Sequence, residues 1–596
     1  MQPKALLVIT AVALSACTAS VPSTGADRPT ASGSTWADSV LATMTLREKA
    51  AQMVWPTVLG DYTPGDSPSW RRISDYIRRD KVGGFTISVG SPTELAAKLN
   101  AMQGMSGVPL VFGADLEAGA GFRARGGYFL PNAIDLGGAV QFPQEMAVGA
   151  TGDTTLAYQQ GRITALEGRA LGIHIAYSPI LDVNNNPGNP VINTRSFGED
   201  PRAVARLGAA YVRGIQSGGM IATGKHFPGH GDTETNSHLE LPVVNVSRSR
   251  LDSVELVPFR EAIKSGVGAI MTFHGVMPAL DTSGVPGTLS RNVLTGLLRT
   301  ELDFKGLIIS DALDMAGGLK QYGPVEAPKR AVAAGVDIII QPLDITQTID
   351  AVVAGVNEGR YTEGRLNESV RRILQAKERL GLNRGKLTNL DSLRFIVGDS
   401  SHAAMARLIG ERSITLVKDS LNQVPLSDIK NLRVLSVVVG RRSDLAAGVA
   451  FNSELRLAVK SLRIDFLATE DPNADYSRIE RQADSADVVI VSSYVGQVWD
   501  ALSASAPQAF ASFVQGFAAK GKRLIVVTFG NPYFLQQVPS VPAYVVAWGG
   551  FPPSQIAAAR ALLGKQSITG KLPVSIPLKN MVIQRGAGIM RGTATQ

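Results

Sequence analysis

The densest chemistry in this chain lies in one stretch, Lys225-His226-Phe227-Pro228-Gly229-His230-Gly231-Asp232-Thr233-Glu234-Thr235-Asn236-Ser237-His238, which carries three of its six histidines. An apolar run precedes it, and Pro228, Gly229 and Gly231 forbid a regular helix there. The pattern is a strand that ends on a cation and an imidazole, then a loop that carries two more imidazoles. Loops on a rigid scaffold are where reaction centres are built. An imidazole titrates near neutrality, so His238 can protonate a leaving oxygen and later take a proton from water. A second reactive position is Asp311, which directly ends the apolar run Gly306-Leu307-Ile308-Ile309-Ser310-Asp311. An ionised carboxylate there can attack an electrophilic carbon or stabilise positive charge on it. The competing use is as a helix N-cap, a role better suited to Asp314.

These side chains need a scaffold. Eight short, β-rich apolar runs fall at 51–55, 83–89, 109–115, 174–182, 219–226, 268–274, 306–311 and 337–342. Most are continuous rather than alternating, as in strands buried on both faces. Amphipathic helical patterns separate them, at 156–171, 203–217, 258–265 and 294–302 among others. Eight strand–helix units predict an α/β fold of the (β/α)8 TIM-type barrel class, with an open doubly wound sheet as the alternative. In such a barrel the reactive groups sit at the C-terminal strand ends. Reading those ends gives Asp115, Asp182, Lys225 with His226, His274 and Asp311. Thr45 and Glu48 form a capping box that opens the first helix.

After residue 382 the pattern loosens. A helix at 402–411 leads to the segment Ser413-Ile414-Thr415-Leu416-Val417 and a second αβ alternation, with strands expected at 433–439, 464–469, 487–491, 523–528 and 543–548 and helices at 453–461, 507–520 and 553–563. This predicts a smaller α/β (αβα) sandwich. It has no G-x-G-x-x-G turn after its first strand, so no dinucleotide is assigned. The expected domains are a signal segment 1–17, a tether 18–35, a barrel 36–382, a linker 383–412 and a sandwich 413–596.

The formal charge of +8 is spread without a Lys/Arg-rich run, which argues against nucleic acid and fits a mildly basic protein beside an anionic envelope. Lys4 precedes an apolar stretch, 5–14, that fits an export signal and is too short to span a bilayer. It ends in Leu14-Ser15-Ala16-Cys17, a lipobox-like sequence around the chain's single cysteine. The expectation is an exported lipoprotein, anchored through Cys17 to the bacterial envelope and facing the periplasm from the outer membrane if there are two membranes. Residues 18–35, rich in Ser, Thr, Ala, Gly and Pro, read as a flexible tether. One cysteine leaves no disulfide framework and no cysteine metal site.

Four features resemble glycoside hydrolase family 3 in its β-N-acetylglucosaminidase branch. They are the Lys225–His238 loop, Met271-Thr272-Phe273-His274 followed by Pro278-Ala279-Leu280-Asp281, Leu289-Ser290-Arg291, and Ser310-Asp311. The resemblance implies a retaining, exo-acting enzyme that hydrolyses terminal β-linked N-acetylhexosamine from cell-wall fragments or chitooligosaccharides. It makes Asp311 the nucleophile and His238 the acid/base. Asp115, Arg123, Arg195, Lys225 and His226 would hold sugar hydroxyls, with no metal and no cofactor. Two departures stand out. The dyad position two residues before the loop histidine is Asn236 rather than aspartate, so the imidazole is oriented without a full charge unless Glu234 or Asp232 supplies one. The segment Gly113-Ala114-Asp115-Leu116-Glu117-Ala118-Gly119 replaces the branch's Asp-Gln-Glu-Gly-Gly-Arg, although Arg123 keeps its spacing of eight from Asp115. The alternatives are a family 3 β-glucosidase or xylosidase, a phosphorylase, a metallohydrolase, and a lipid-anchored glycan-binding protein without turnover. Because the His238 loop is rich in Gly and Pro, it is expected to close over bound sugar, with a distance from Asp311 that varies in the empty enzyme.

Overall fold

The computed structural model describes residues 35–128, 134–315, 319–471, 474–496 and 505–593. Cys17 and all of the tether but Thr35 lie outside the described residues. No helix among the described residues is long and apolar enough to cross a membrane.

All eight expected strands form. They are β1 (Val54–Trp55, resumed after Pro56 as Thr57–Val58), β2 (Gly84–Ile87), β3 (Val111–Ala114), β4 (Ile175–Ala176), β5 (Ile221–Phe227), β6 (Ala269–Thr272), β7 (Leu307–Ile309) and β8 (Ile339–Ile340). Neighbours run parallel from the second half of β1 through to β7. The ring closes because Val54 pairs with Ile339 and Ile309 bridges to Ile338. Pro56 has no N–H to give to a ladder, so β1 changes partner there: one half pairs with β8, the other with β2. Strands β2 to β7 are buried on both faces, which explains their unbroken apolar runs.

The helices follow their caps. Thr45 and Glu48 satisfy each other's backbone N–H groups at the start of Leu46–Gln52. Asp153 caps Thr154–Ala170, and Asp200 caps Pro201–Ser217. These two long helices pack side by side so closely that a Cβ on Gly214 would stand 2.1 Å from the Tyr158 carbonyl oxygen.

The second sheet has the spatial order Thr415–Asp419, Ala543–Val546, Leu524–Thr528, Val488–Ser493, Arg433–Gly440, Ser461–Ala468. Only the Thr415–Asp419 edge is antiparallel. Two expectations need correction here. The helix placed at 453–461 runs instead from Val449 to Arg456, and Ser461 opens a strand. That strand lies on the sheet edge and is mostly half-exposed, so its start lacks the apolar run by which buried strands are recognised.

One continuous apolar core runs from the barrel into the near face of the sandwich sheet, and a second fills the far face. Barrel and sandwich also meet through backbone. Gln144 N–H donates to the Trp548 carbonyl at 3.3 Å, and Glu199 N–H donates to Pro573 at 3.1 Å.

Candidate active site

The C-terminal strand ends surround a cavity of about 210 Å³, lined by Asp115, Arg123, Arg195, Lys225, His226, His238 and Asp311 among others. The sequence places these residues far apart; barrel closure brings them together.

Asp115, one residue past β3, is gripped from both sides. Its Oδ1 accepts from Lys225 Nζ at 2.7 Å and its Oδ2 from Arg123 Nη2 at 2.6 Å. Burial works against its charge, but the Lys225 and Arg123 cations outweigh burial and hold its carboxyl well below the usual range. Lys225 itself is buried and bridges to Glu117 Oε1 at 2.8 Å. Glu117 completes the network with a two-pronged pair to Arg195, whose Nε and Nη2 donate at 2.8 and 2.6 Å. Burial raises the Glu117 carboxyl and the Arg195 and Lys225 charges lower it, with a net value of about 2. Three cations and two carboxylates thus form one linked frame with a net positive charge, and all five side chains line the cavity. Glu117 is absent from the expected site residues. Its position two past Asp115, on the same loop, was the available signal.

Of the five polar strand ends, Asp182 and His274 are the ones that do not line the cavity. Both are fully buried. The Asp182 carboxylate accepts from the backbone N–H groups of His226 and His230 and from His226 Nδ1, the last at 2.7 Å. A carboxylate only accepts, so Nδ1 carries the proton and Nε2 is left for the cavity that the His226 ring lines. His274 Nε2 donates to the Ala312 carbonyl at 3.0 Å, and its Nδ1 meets Thr288 Oγ1 at 2.7 Å. It therefore props the turn after β7 rather than touching a ligand.

Asp311 opens that turn. Its N–H donates to Thr272 Oγ1 at 3.2 Å, and its Oδ1 accepts from Ala312 N–H at 2.8 Å, which leaves Oδ2 for the cavity. Burial opposes its charge, but the His226 and His274 rings and the Ala312 N–H prevail and keep it ionised below the ordinary carboxylate value. The carboxyl of Asp314, by contrast, is raised by burial.

The loop after β5 folds inward. The backbone at Gly231 approaches the Val183 carbonyl so closely that a Cβ would stand 1.7 Å from the oxygen, so only glycine fits. His230 meets Thr233 and Ser237 hydroxyls through both ring nitrogens, at 3.0 and 2.9 Å, and lies over Phe273. Burial lowers its imidazole to about 3. Asn236 and Ser237 are buried. These ties seat His238 on the same cavity as Asp311. Local hydrogen bonds outweigh the flexibility of Gly and Pro here.

The Asn236 side chain accepts the His238 backbone N–H at 3.0 Å and meets His238 Nδ1 at 3.0 Å through the same atom, which must therefore be Oδ1. Nδ1 carries the proton, and Nε2 is the basic nitrogen. Partial burial lowers the imidazole to about 4, although the Asp311 charge pulls it upward. Asp232 engages Asn186 at 3.4 Å and Arg250 at 3.6 Å, and Glu234 is exposed.

The chain belongs to glycosyl hydrolase family 3. The family's N terminal domain matches residues 45–376 and its C-terminal domain matches 318–587. A β-N-acetylglucosaminidase/β-glucosidase of Cellulomonas fimi is 30% identical over 567 residues, covering 91% of this chain and 96% of that protein. β-Hexosaminidase A of Pseudoalteromonas piscicida is 29% identical over 85% of this chain and 91% of its own length. A solved structure of a family 3 β-N-acetylglucosaminidase from Paenibacillus sp. str. FPU-7 superposes with a TM-score of 0.76 at 32% identity, covering 90% of this chain and 99% of that one. The protein is a glycoside hydrolase.

Proposed function

We propose that this chain is a retaining, exo-acting β-N-acetylglucosaminidase that removes terminal β-linked N-acetylhexosamine from peptidoglycan fragments or chitooligosaccharides. The observation that carries the reading is an ionised Asp311 sharing one cavity with an Nδ1-protonated His238, beside the Asp115–Lys225–Glu117–Arg195 frame. The names of the relatives point to the N-acetylated sugar.

In the first step Asp311 Oδ2 attacks the anomeric carbon while His238, protonated on Nε2, gives that proton to the departing oxygen. In the second step His238 Nε2 takes a proton from water, which displaces the carboxylate from the same carbon. Two inversions restore the starting anomer. The Asp115 carboxylate and His226 Nε2 accept from sugar hydroxyls in fixed orientations, with Arg123, Arg195 and Lys225 as positive donors. Groups held in place before the sugar arrives need no reorganisation during reaction.

A panel of aryl β-glycosides tests the substrate. The N-acetylglucosaminide should turn over at least tenfold faster than the glucoside and xyloside; a preference for either of these, or no turnover at all, refutes the reading. The same proposal places the enzyme at the envelope, tethered through Cys17. Cys17→Ser should yield an unprocessed or soluble precursor, and unchanged membrane fractionation and acyl labelling would refute it.

A further inference from the structure

At the opposite mouth of the barrel, the N-terminal ends of β7 and β8 open onto a second, larger cavity of about 710 Å³. Its lining is strongly cationic. The helix Asn292–Glu301 and the turn after it bring Arg299 and Lys305, and Arg291 stands just before that helix. The helix Gly323–Ala334 brings Arg330, and the last barrel helix, Glu363–Arg379, brings Arg365 and Arg372. Arg360 completes the wall from the turn between helices.

The carboxylates on hand are too few for these cations. Asp337, fully buried at the foot of β8, serves three guanidiniums at once: Arg299, Arg372 at 3.1 Å and Arg365 at 3.8 Å. Glu326 serves both Arg330 at 2.8 Å and Arg360 at 3.2 Å. Glu358 is committed to Lys329 at 2.6 Å and stands 3.8 Å from Arg360. Glu368 is 3.8 Å from Arg372, and Asp303 pairs with Lys305 at the exposed lip. Arg291 makes no ion pair among those the described residues show, and it is exposed. A concave, partly desolvated wall with surplus guanidinium is costly without an anion, because like charges repel more strongly away from water. The strain is visible in the arginines themselves. Burial, with Arg372 and Arg365 adding repulsion, brings Arg299 down to about 10, and burial lowers Arg365 as well.

We propose that this mouth of the barrel binds a phosphate group. Planar guanidiniums from three different elements converge on one cavity, the arrangement that grips a multiply charged tetrahedral oxyanion by paired N–H donors. The site lies at the far end of the barrel from Asp311 and does not depend on the hydrolase reading. A soluble phosphate compound and an anionic lipid headgroup share the required chemistry.

Two experiments on the full chain distinguish these sources. Calorimetric titration with inorganic phosphate and pyrophosphate reads the soluble arm. Flotation with phosphatidylglycerol vesicles, against phosphatidylcholine vesicles, reads the lipid arm. The variant Arg291→Glu/Lys305→Glu alters only exposed side chains, so it should fold and retain hydrolysis. It should weaken the binding in whichever arm is positive by at least about tenfold, since the loss of even one charged contact costs that much and two are removed. Arg372→Gln should weaken it too and reports on the buried side of the site. Binding in the soluble arm identifies a small phosphate compound, and binding in the vesicle arm alone identifies a lipid headgroup. No binding in either arm, or binding that both variants leave unchanged, overturns the proposal.

Discussion

Replacing Asn236 with aspartate should move the pH profile upward. His238 Nδ1 lies 3.0 Å from Asn236 Oδ1, and its imidazole is lowered to about 4 because burial outweighs the upward pull of the Asp311 charge. Asn236→Asp puts a carboxylate in the same position with nearly the same shape. At roughly 4 Å between charge centres and an effective dielectric constant of about 20, the attraction to a protonated ring is about 4 kcal/mol. That corresponds to about three pKa units before discounts. His238 is only partly buried, and the new carboxylate must itself be desolvated at a buried position, so a net rise of roughly one to two units is expected. The acid step needs protonated His238, so kcat/KM falls as pH rises through its pKa. The alkaline limb should therefore shift up by about one to two units in the variant. The assay is kcat/KM against pH for a substrate with a poor leaving group, where protonation matters most. An alkaline limb that stays in place would refute His238 as the acid.

Glu117→Gln should destabilise the fold as well as the site. It leaves buried Lys225 and Arg195 sharing one fewer negative charge, and breaking such a pair costs about 3–5 kcal/mol; a thermal melt should show the loss, and an unchanged Tm would contradict the frame. Phe551→Ala tests whether the sandwich supports the sugar site. Phe551 meets Phe122 edge-on at 6.2 Å, and Arg123 lies 4.8 Å over the same Phe122 ring while holding Asp115. Loss of that aromatic pair, about 0.5–1.5 kcal/mol, should raise KM a few-fold and leave kcat nearly intact. A fall in kcat with KM unchanged would point away from sugar positioning.

The barrel was legible because strands buried on both faces write unbroken apolar runs, and the polar residue after each run marks the rim. The depth of each rim residue was not legible. Asp182 and His274 end their runs just as Asp115 and Asp311 do, yet they serve as supports behind the wall. That distinction depends on how the neighbouring loops cover them, which strand patterning does not record. Glu117 was hidden for a similar reason: its role exists only once Lys225 and Arg195 arrive from distant segments. The inward fold of the His238 loop was obscured by its composition. Gly and Pro there signal irregular backbone, and the ties through His230, Thr233 and Ser237 that fix it are visible only in three dimensions. The edge strand at Ser461–Ala468 was located imperfectly because half-exposed strands lack a sharp apolar boundary.

Retaining hydrolysis at this site depends on a covalent bond to one residue, Asp311. Wild-type enzyme and Asp311→Asn would each be quenched rapidly with acid while turning over a slow, fluorinated aryl β-N-acetylglucosaminide, then digested and read by peptide mass spectrometry. The expected result is a glycosyl ester on the wild-type peptide that contains Asp311, no ester in the variant, and loss of turnover by several orders of magnitude with the fold intact. A glycosyl group on another carboxylate, or initial product of inverted anomeric configuration, would contradict it.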